Sequence, residues 1–453
     1  MTPSAEVLEG DALERLAGLE ARSFDAMLTD PPYGLAFMGK RWDYDVPSVE
    51  LWREALRVLK PGAHALVACG TRTQHRMVVN LEDAGFHVRD VVAWIYGSGF
   101  PKSLDVSKAI DKAAGAERGE EQPHPTNACP GGRWCRCSEL DESGRYSPTR
   151  HPAYTAPGSP EGERWSGYGT ALKPAMELWT LVRRPLEGTV AANALEHGTG
   201  ALNIDGCRIA TNGERIDAGI SDPANRRGLV GARWQAPSSA EANAAAQAAS
   251  LERANRLGRW PANVTHDGSP EVVEHFPETV SRSSDTPQPV KTSRGHAGGA
   301  FANPSARRPD GHEVNPAYTR GGFDDLGSAA RFFYCAKPDT SERDAGLAHL
   351  PVREVHRLGA GIGEGLDPSA PAMNRNVHPT VKPLALTAWL ATMLLPPARD
   401  TPRRLLVPFA GSGSEMIGAR LAGWDEVVGI ELEPEYAEIA RARILHHTNG
   451  RLW

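Results

Sequence analysis

The stretch LLVPFAGSGSEMIGARLAGWDEVVGIELE, residues 405–433, decides how the chain folds. Its apolar start runs into Gly411-Ser412-Gly413, a helical pattern follows from Glu415, and a second apolar run ends on Glu431. Strand, glycine loop, helix, strand and terminal acid make an α/β unit. The glycine turn lets backbone approach a ligand closely and aims helix N–H groups at it. An acid at the next strand end, about 20 residues on, is suited to accept hydrogen bonds from two ribose hydroxyls. The unit predicts a nucleoside-bearing cofactor; the plain alternative is a tight turn.

Working outward, KPLALTAWLATMLLPP before this unit reads as a helix, and PEYAEIARARILHH after it as a closing helix with Pro434 in its first turn. The other end of the chain is also α/β. SFDAMLTD, AHALVACG and HVRDVVAWIYG read as strands, and VELWREALRVLKPG and RMVVNLEDAGF as helices, the first stopping at Lys60-Pro61-Gly62. Between Phe100 and Tyr168 turn residues dominate and a loop or small insert is expected. AMELWTLVRRPLEG returns as a strand, and an Ala-rich polar helix is expected around residues 240–254. Residues 280–325 are rich in Ser, Gly, Pro and Arg and read as a long loop.

Bulk composition narrows the class. The chain has 453 residues, 40 % hydrophobic and 23 % charged, with 46 Gly and 36 Pro, as in a globular protein with generous loops. Apolar stretches such as LALTAWLATMLLPP are too short to span a bilayer, and the N-terminus carries no secretory pattern. Six cysteines do not make a disulfide framework, which points to a reducing, cytoplasmic compartment. With a net charge of −6, nucleic acid would have to meet a local basic face.

The strand SFDAMLTD stops abruptly at Asp30-Pro31-Pro32-Tyr33-Gly34. Two prolines fix two φ angles and remove two donors, although one would end a strand. Asp30 and the Pro31 carbonyl then form a pair of acceptors, which suits an exocyclic amino group with its two N–H donors. Tyr33 offers a stacking surface.

DPPYG, HPTVKP (378–383), PFAGSG (408–413) and GIELEPEY (429–436) together resemble the amino-group DNA methyltransferases dependent on S-adenosylmethionine. D-P-P-Y precedes the cofactor loop, as in the permuted group often called the β class, and GTALKPAMELWTLVRRPL resembles a segment of prophage-type members. The resemblance implies an α/β fold with a doubly wound, Rossmann-like methyltransferase sheet, circularly permuted, carrying a long irregular target-recognition insertion. It implies a catalytic half at 1–110, a loop-rich insert at 111–164, the end of the catalytic half at 165–210, a target-recognition region at 211–330 and a cofactor half at 331–453.

Carried over residue by residue, Asp30, Pro31, Pro32 and Tyr33 act on the target amine. Asp11 lies near the cofactor's adenine, Thr380 and Lys382 border its methionine end, and Phe409, Gly411, Ser412, Gly413 and Glu431 hold the rest. Three positions depart from the pattern: Val407 stands where an acid is usual, and Ser414-Glu415 where two threonines are common. The expected reaction is methylation of adenine N6 in flipped-out double-stranded DNA, because the motif starts with Asp. N4 of cytosine and a catalytically weak DNA-binding relative are the alternatives. Enzymes acting on RNA or glutamine amides more often carry N-P-P-Y after the cofactor loop. A homodimer and a restriction endonuclease partner are left open.

Lys102 in GFPKSLDVSKAIDK, with Arg294, Arg307 and Arg308, are the expected DNA contacts, the alternative being solvated loops. Trp42 and Asp43 would line the flipped-base pocket or pack as ordinary core. Cys129, Cys135 and Cys137 with His124 do not follow a zinc spacing, so no metal is expected.

Overall fold

The computed structural model of the chain describes residues 4–35, 43–97, 99, 103–119, 121–122, 154–210, 252, 256–281, 284–288, 318–320, 325–337, 339–355 and 372–449. They fall into two compact units, one of Met1–Asn203, Asn263–His275 and Cys335–Trp453, the other of Ile204–Ala262 and Phe276–Tyr334.

The larger unit is built on a nine-stranded sheet. Its strands are β1 (Ser4–Glu9), β2 (Phe24–Thr29), β3 (Leu59–Gly70), β4 (His87–Ile95), β5 (Met176–Arg183), β6 (Val264–His266), β7 (Tyr334–Cys335), β8 (Arg404–Val407) and β9 (Glu426–Glu431), in the order β1-β9-β8-β2-β3-β5-β4-β6-β7. Strands β1, β9, β8, β2 and β3 are parallel, and β5 runs antiparallel between β3 and β4. The two distant ends of the chain thus share one sheet: β8 pairs with β2 through Leu405↔Ala26 and Leu406↔Met27.

Helices cover both faces, as parallel strands buried on two sides require. On one side α1 (Ala12–Ala17), α2 (Val49–Val58) and α3 (Gln74–Asp83) set Leu16, Trp52 and Met77 against Phe24, Met27, Ala65 and Leu406. The unit continues with α4 (Val106–Ala114) and α5 (Val190–His197). On the other face lie α6 (Leu384–Leu394), α7 (Ser414–Ala422) and α8 (Pro434–Asn449). All six residues of β2 are buried, Asp25 among them. Its carboxylate takes Lys60 Nζ at 2.7 Å, Arg399 Nη2 at 2.6 Å and the Arg404 amide at 2.8 Å, tying β2 to β3 and to the entrance of β8.

Several elements differ from the sequence reading. Helix α2 stops at Val58, two residues before Lys60-Pro61-Gly62: Leu59 is already extended and β3 begins there. The residue before a proline is pushed out of the helical region, so Lys60 continues as strand. Residues 106–114 form α4 where a loop was expected, with Asp105 capping Lys108 N at 3.1 Å and Gly115 closing the helix at φ 66°. Strand β1 and helix α5 had no sequence expectation. The Ala-rich stretch at 240–254 lies, but for Glu252, outside the described residues, as do Cys129, Cys135, Cys137 and His124.

In the smaller unit Glu278–Ser281 pairs antiparallel with Asp325–Ser328, and Ser284–Gln288 with Tyr318–Arg320. Ile209 bridges Arg259, and the Arg208 guanidinium lies 5.1 Å from the centre of the Trp260 ring. Among the described residues, no helix is long and apolar enough to cross a membrane.

Candidate active site

Strand β2 ends at Thr29, so Asp30 emerges at the C-terminal edge of the parallel strands, where β8 and β9 also end. The corner after it is fixed from below. Asp43, buried at 3 % exposure, accepts the Tyr33 amide at 2.7 Å and the Gly34 amide at 3.0 Å on Oδ1, and the Leu35 amide at 3.2 Å on Oδ2. Three converging N–H groups need acceptors, and the Asp43 carboxylate supplies them. Gly34 has φ 68°, and a Cβ there would stand 2.9 Å from the Val46 amide nitrogen. Only glycine fits.

The Asp30 carboxylate is held on both oxygens. Tyr33 donates its hydroxyl to Oδ1 at 2.7 Å, and Lys382 Nζ lies 3.0 Å from Oδ2. The same ammonium lies 2.9 Å from each Glu177 oxygen and donates to the Tyr33 hydroxyl at 3.2 Å. Burial alone would discharge Lys382, but Asp30 and then Glu177 outweigh it and hold the ammonium well above its usual range. Burial, then Asp30 and Glu177, drives the Tyr33 hydroxyl up, so it stays a donor. Burial also raises the Glu177 carboxyl, against the pull of Lys382. The result is one ammonium bridging two carboxylates and a phenol beside the D-P-P-Y corner.

The glycine loop lies on the same strand edge. Gly411 donates its amide to Glu431 Oε2 at 2.7 Å, and Glu433 donates to Oε1 at 2.9 Å. Burial pushes the Glu431 carboxyl up to about 6. Gly411 has φ 52°, and a Cβ there would lie 2.9 Å from His378 Nε2; Gly413 has φ 81° and packs on Ala440. Ser412 is buried, with its carbonyl and hydroxyl accepting from Arg443 Nη1 at 2.5 and 3.0 Å. Phe409 turns inward, its ring edge-on to Trp52 at 6.4 Å.

The HPTVKP segment is clamped by Arg343, which donates to the His378 carbonyl at 2.6 Å. His378 packs edge-on to Tyr436 at 4.6 Å, and burial pushes its imidazole down to about 4, so it is neutral. Thr380 is exposed, and its amide meets His378 Nδ1 at 3.3 Å. Asp11 caps α1, accepting Leu13 N at 2.9 Å and Glu14 N at 3.1 Å, just beyond the register pair Glu9↔Glu431.

Asp30, Tyr33 and Lys382 therefore meet directly, Gly411 meets Glu431, and Asp11 stands near the latter. Lys102, Arg294, Arg307, Arg308 and Trp42 lie outside the described residues. Sequence reasoning missed Glu177 and Arg443, and gave Asp43 a pocket-lining part rather than its place under the corner. Glu177 carried a signal, as the lone acid in the apolar run MELWTLV. Arg443 carried none; its full burial follows from how α8 packs beneath the loop.

No curated protein matches the chain. Among solved structures, it is similar to a proposed DNA modification methylase from Thermus thermophilus complexed with S-adenosyl-L-methionine, at 13 % identity over 99 % of this chain and 98 % of that one, with a TM-score of 0.33. The M1.HpyAVI–SAM complex gives 11 % identity over 97 % and 100 %, with a TM-score of 0.32. PvuII DNA methyltransferase, described as cytosine-N4-specific, gives 11 % identity over 98 % and 87 %, with a TM-score of 0.38. In sequence, residues 24–122 match the family model for N6 and N4 enzymes described as "DNA methylase", a span that holds β2, the D-P-P-Y corner, β3 and β4.

Proposed function

We propose that the chain is an S-adenosylmethionine-dependent DNA methyltransferase acting on the exocyclic N6 of adenine in double-stranded DNA. The observation that carries this reading is the meeting of Asp30 and Tyr33 on the strand edge that also bears the Gly411–Glu431 contact. The match of residues 24–122 to the DNA methylase model supports it.

The residues present fit the cofactor. Each Glu431 oxygen accepts one backbone N–H and keeps lone-pair capacity for a ribose hydroxyl. Gly411 and Gly413 leave the loop without side chains, and Asp11 stands at the neighbouring strand end. When bound, S-adenosylmethionine supplies an electrophilic methyl group.

The chain's own part is alignment. Asp30 and the Pro31 carbonyl accept the two N–H groups of the target amine, which draws its lone pair out of conjugation with the ring. Tyr33 stacks on the extruded base and offsets part of the unstacking cost. Tyr33 and Lys382 each occupy one Asp30 oxygen, and the remaining lone-pair capacity of that carboxylate is open to the target amine. Lys382 pairs with the Asp30 carboxylate, and Glu177 keeps Lys382 in place. Lys102, Arg294, Arg307 and Arg308 are proposed to meet the phosphates.

Incubation of the full chain with methyl-labelled S-adenosylmethionine and mixed-sequence duplex DNA, followed by nucleoside mass analysis, tests the reading. N6-methyldeoxyadenosine is expected. N4-methyldeoxycytidine would overturn the base assignment, and the absence of any methylated nucleoside would overturn the activity.

A further inference from the structure

Glu415, the second residue of α7, follows the glycine loop directly and is 4 % exposed. Its Oε1 is buried with no hydrogen-bond partner. A buried carboxylate oxygen left without a donor is costly and rare outside functional sites. The N-terminal end of α7 favours an anion there, but its dipole supplies no hydrogen bond to that oxygen.

The charged groups acting on Glu415 come from three elements. Asp30 arrives from the end of β2, Lys382 from the segment before α6 and Arg443 from α8. Neither cation satisfies it. Lys382 is engaged with Asp30, Glu177 and Tyr33. Arg443 directs Nη1 to Ser412 and Ser414 and Nη2 to the Glu342 carbonyl, and its Nε, itself without a partner, makes no hydrogen bond to the carboxylate. Asp30 and Glu177 thus share the ammonium of Lys382, while the Glu415 carboxyl feels its charge without pairing with it. A cationic hydrogen-bond donor is what this cluster lacks.

We propose that Glu415 receives the ammonium at the amino-acid end of the S-adenosyl cofactor, and that filling this position expels a proton. The inference rests on the cofactor reading above. S-adenosylmethionine carries two cations: its sulfonium has no N–H to donate, whereas its ammonium has three. An orphaned acceptor selects the ammonium. Burial, reinforced by Asp30, holds the ligand-free carboxyl up at about 8, so at neutral pH it is mostly protonated; an arriving ammonium reverses that balance.

The test is calorimetric titration of the full chain at pH 7 in two buffers of different ionisation enthalpy. S-adenosylhomocysteine, which keeps the ammonium and lacks the sulfonium, should bind with release of about one proton. 5′-Methylthioadenosine, which lacks the amino-acid end, should release none. In Glu415→Gln the release should vanish and S-adenosylhomocysteine should bind about tenfold more weakly. Unchanged binding of 5′-methylthioadenosine by the variant reports an intact fold. Equal proton release, or equal S-adenosylhomocysteine affinity, in native and Glu415→Gln chains overturns the inference while leaving the cofactor reading standing. A native chain that binds neither nucleoside overturns both.

Discussion

Lys382 Nζ lies 3.0 Å from Asp30 Oδ2, so a residue just before α6 supplies the counter-charge for a carboxylate at the end of β2. The same ammonium reaches the Tyr33 hydroxyl across 349 residues of sequence. The contact exists because β8 lies beside β2, which brings the late half of the chain to the edge where the early half ends.

Lys382 is buried, and its removal leaves Asp30 and Glu177 without their shared cation. Breaking a buried pair from one side is strongly destabilising. Lys382→Met should therefore lower the unfolding free energy by about 3 kcal/mol. Adding Glu177→Gln should restore part of the loss, because one stranded charge is removed as well. Urea denaturation of the single and double variants measures both effects. A single-variant loss below about 1 kcal/mol would show that the ammonium is not the cluster's counter-charge.

Asp43 governs the corner without taking part in it. Asp43→Ala strands the amides of Tyr33, Gly34 and Leu35, at about 1–3 kcal/mol for each donor left buried and unpaired. Because the corner loses its shape while the glycine loop does not, methyl transfer should fall at least tenfold with S-adenosylhomocysteine affinity unchanged. Asp43→Asn keeps one carbonyl acceptor and should fall between. Transfer rates and binding isotherms on the three proteins decide, and native rates in the alanine variant would refute this place for Asp43.

Gly418 lies in the middle of α7, where alanine would ordinarily favour the helix by about 1 kcal/mol. Here a Cβ would stand 2.6 Å from the Thr387 carbonyl carbon and 2.7 Å from the Ala388 amide nitrogen of α6. Backbone cannot move aside as a side chain does. Gly418→Ala should thus destabilise by about 1–3 kcal/mol through forced separation of α6 and α7. A higher melting temperature in the variant would contradict the close crossing of these helices.

Much of the frame was legible because its signals are local. Apolar runs that stop at Asp30 and Glu431 mark central strands, and the glycines at 411 and 413 mark a loop that needs positive φ. Asp105 and Gly115 carried equally local cap signals for α4, overlooked among the turn residues around them. The rest depends on which elements become neighbours. Nothing near Lys382 in sequence announces Asp30 or Glu177, and nothing near Glu415 announces that its carboxylate will be enclosed without a donor. Burial of charge is a property of the packed sheet and helices, and it emerges only with the pairing of β8 and β2.

The central claim is that Asp30 acts on the target amino group rather than on the cofactor. Methyl transfer from labelled S-adenosylmethionine to duplex DNA, measured for native and Asp30→Ala chains alongside S-adenosylhomocysteine binding, tests it most directly. The account predicts transfer lowered by a factor of about 10² or more with cofactor affinity largely retained. Transfer at the native rate in Asp30→Ala would contradict it.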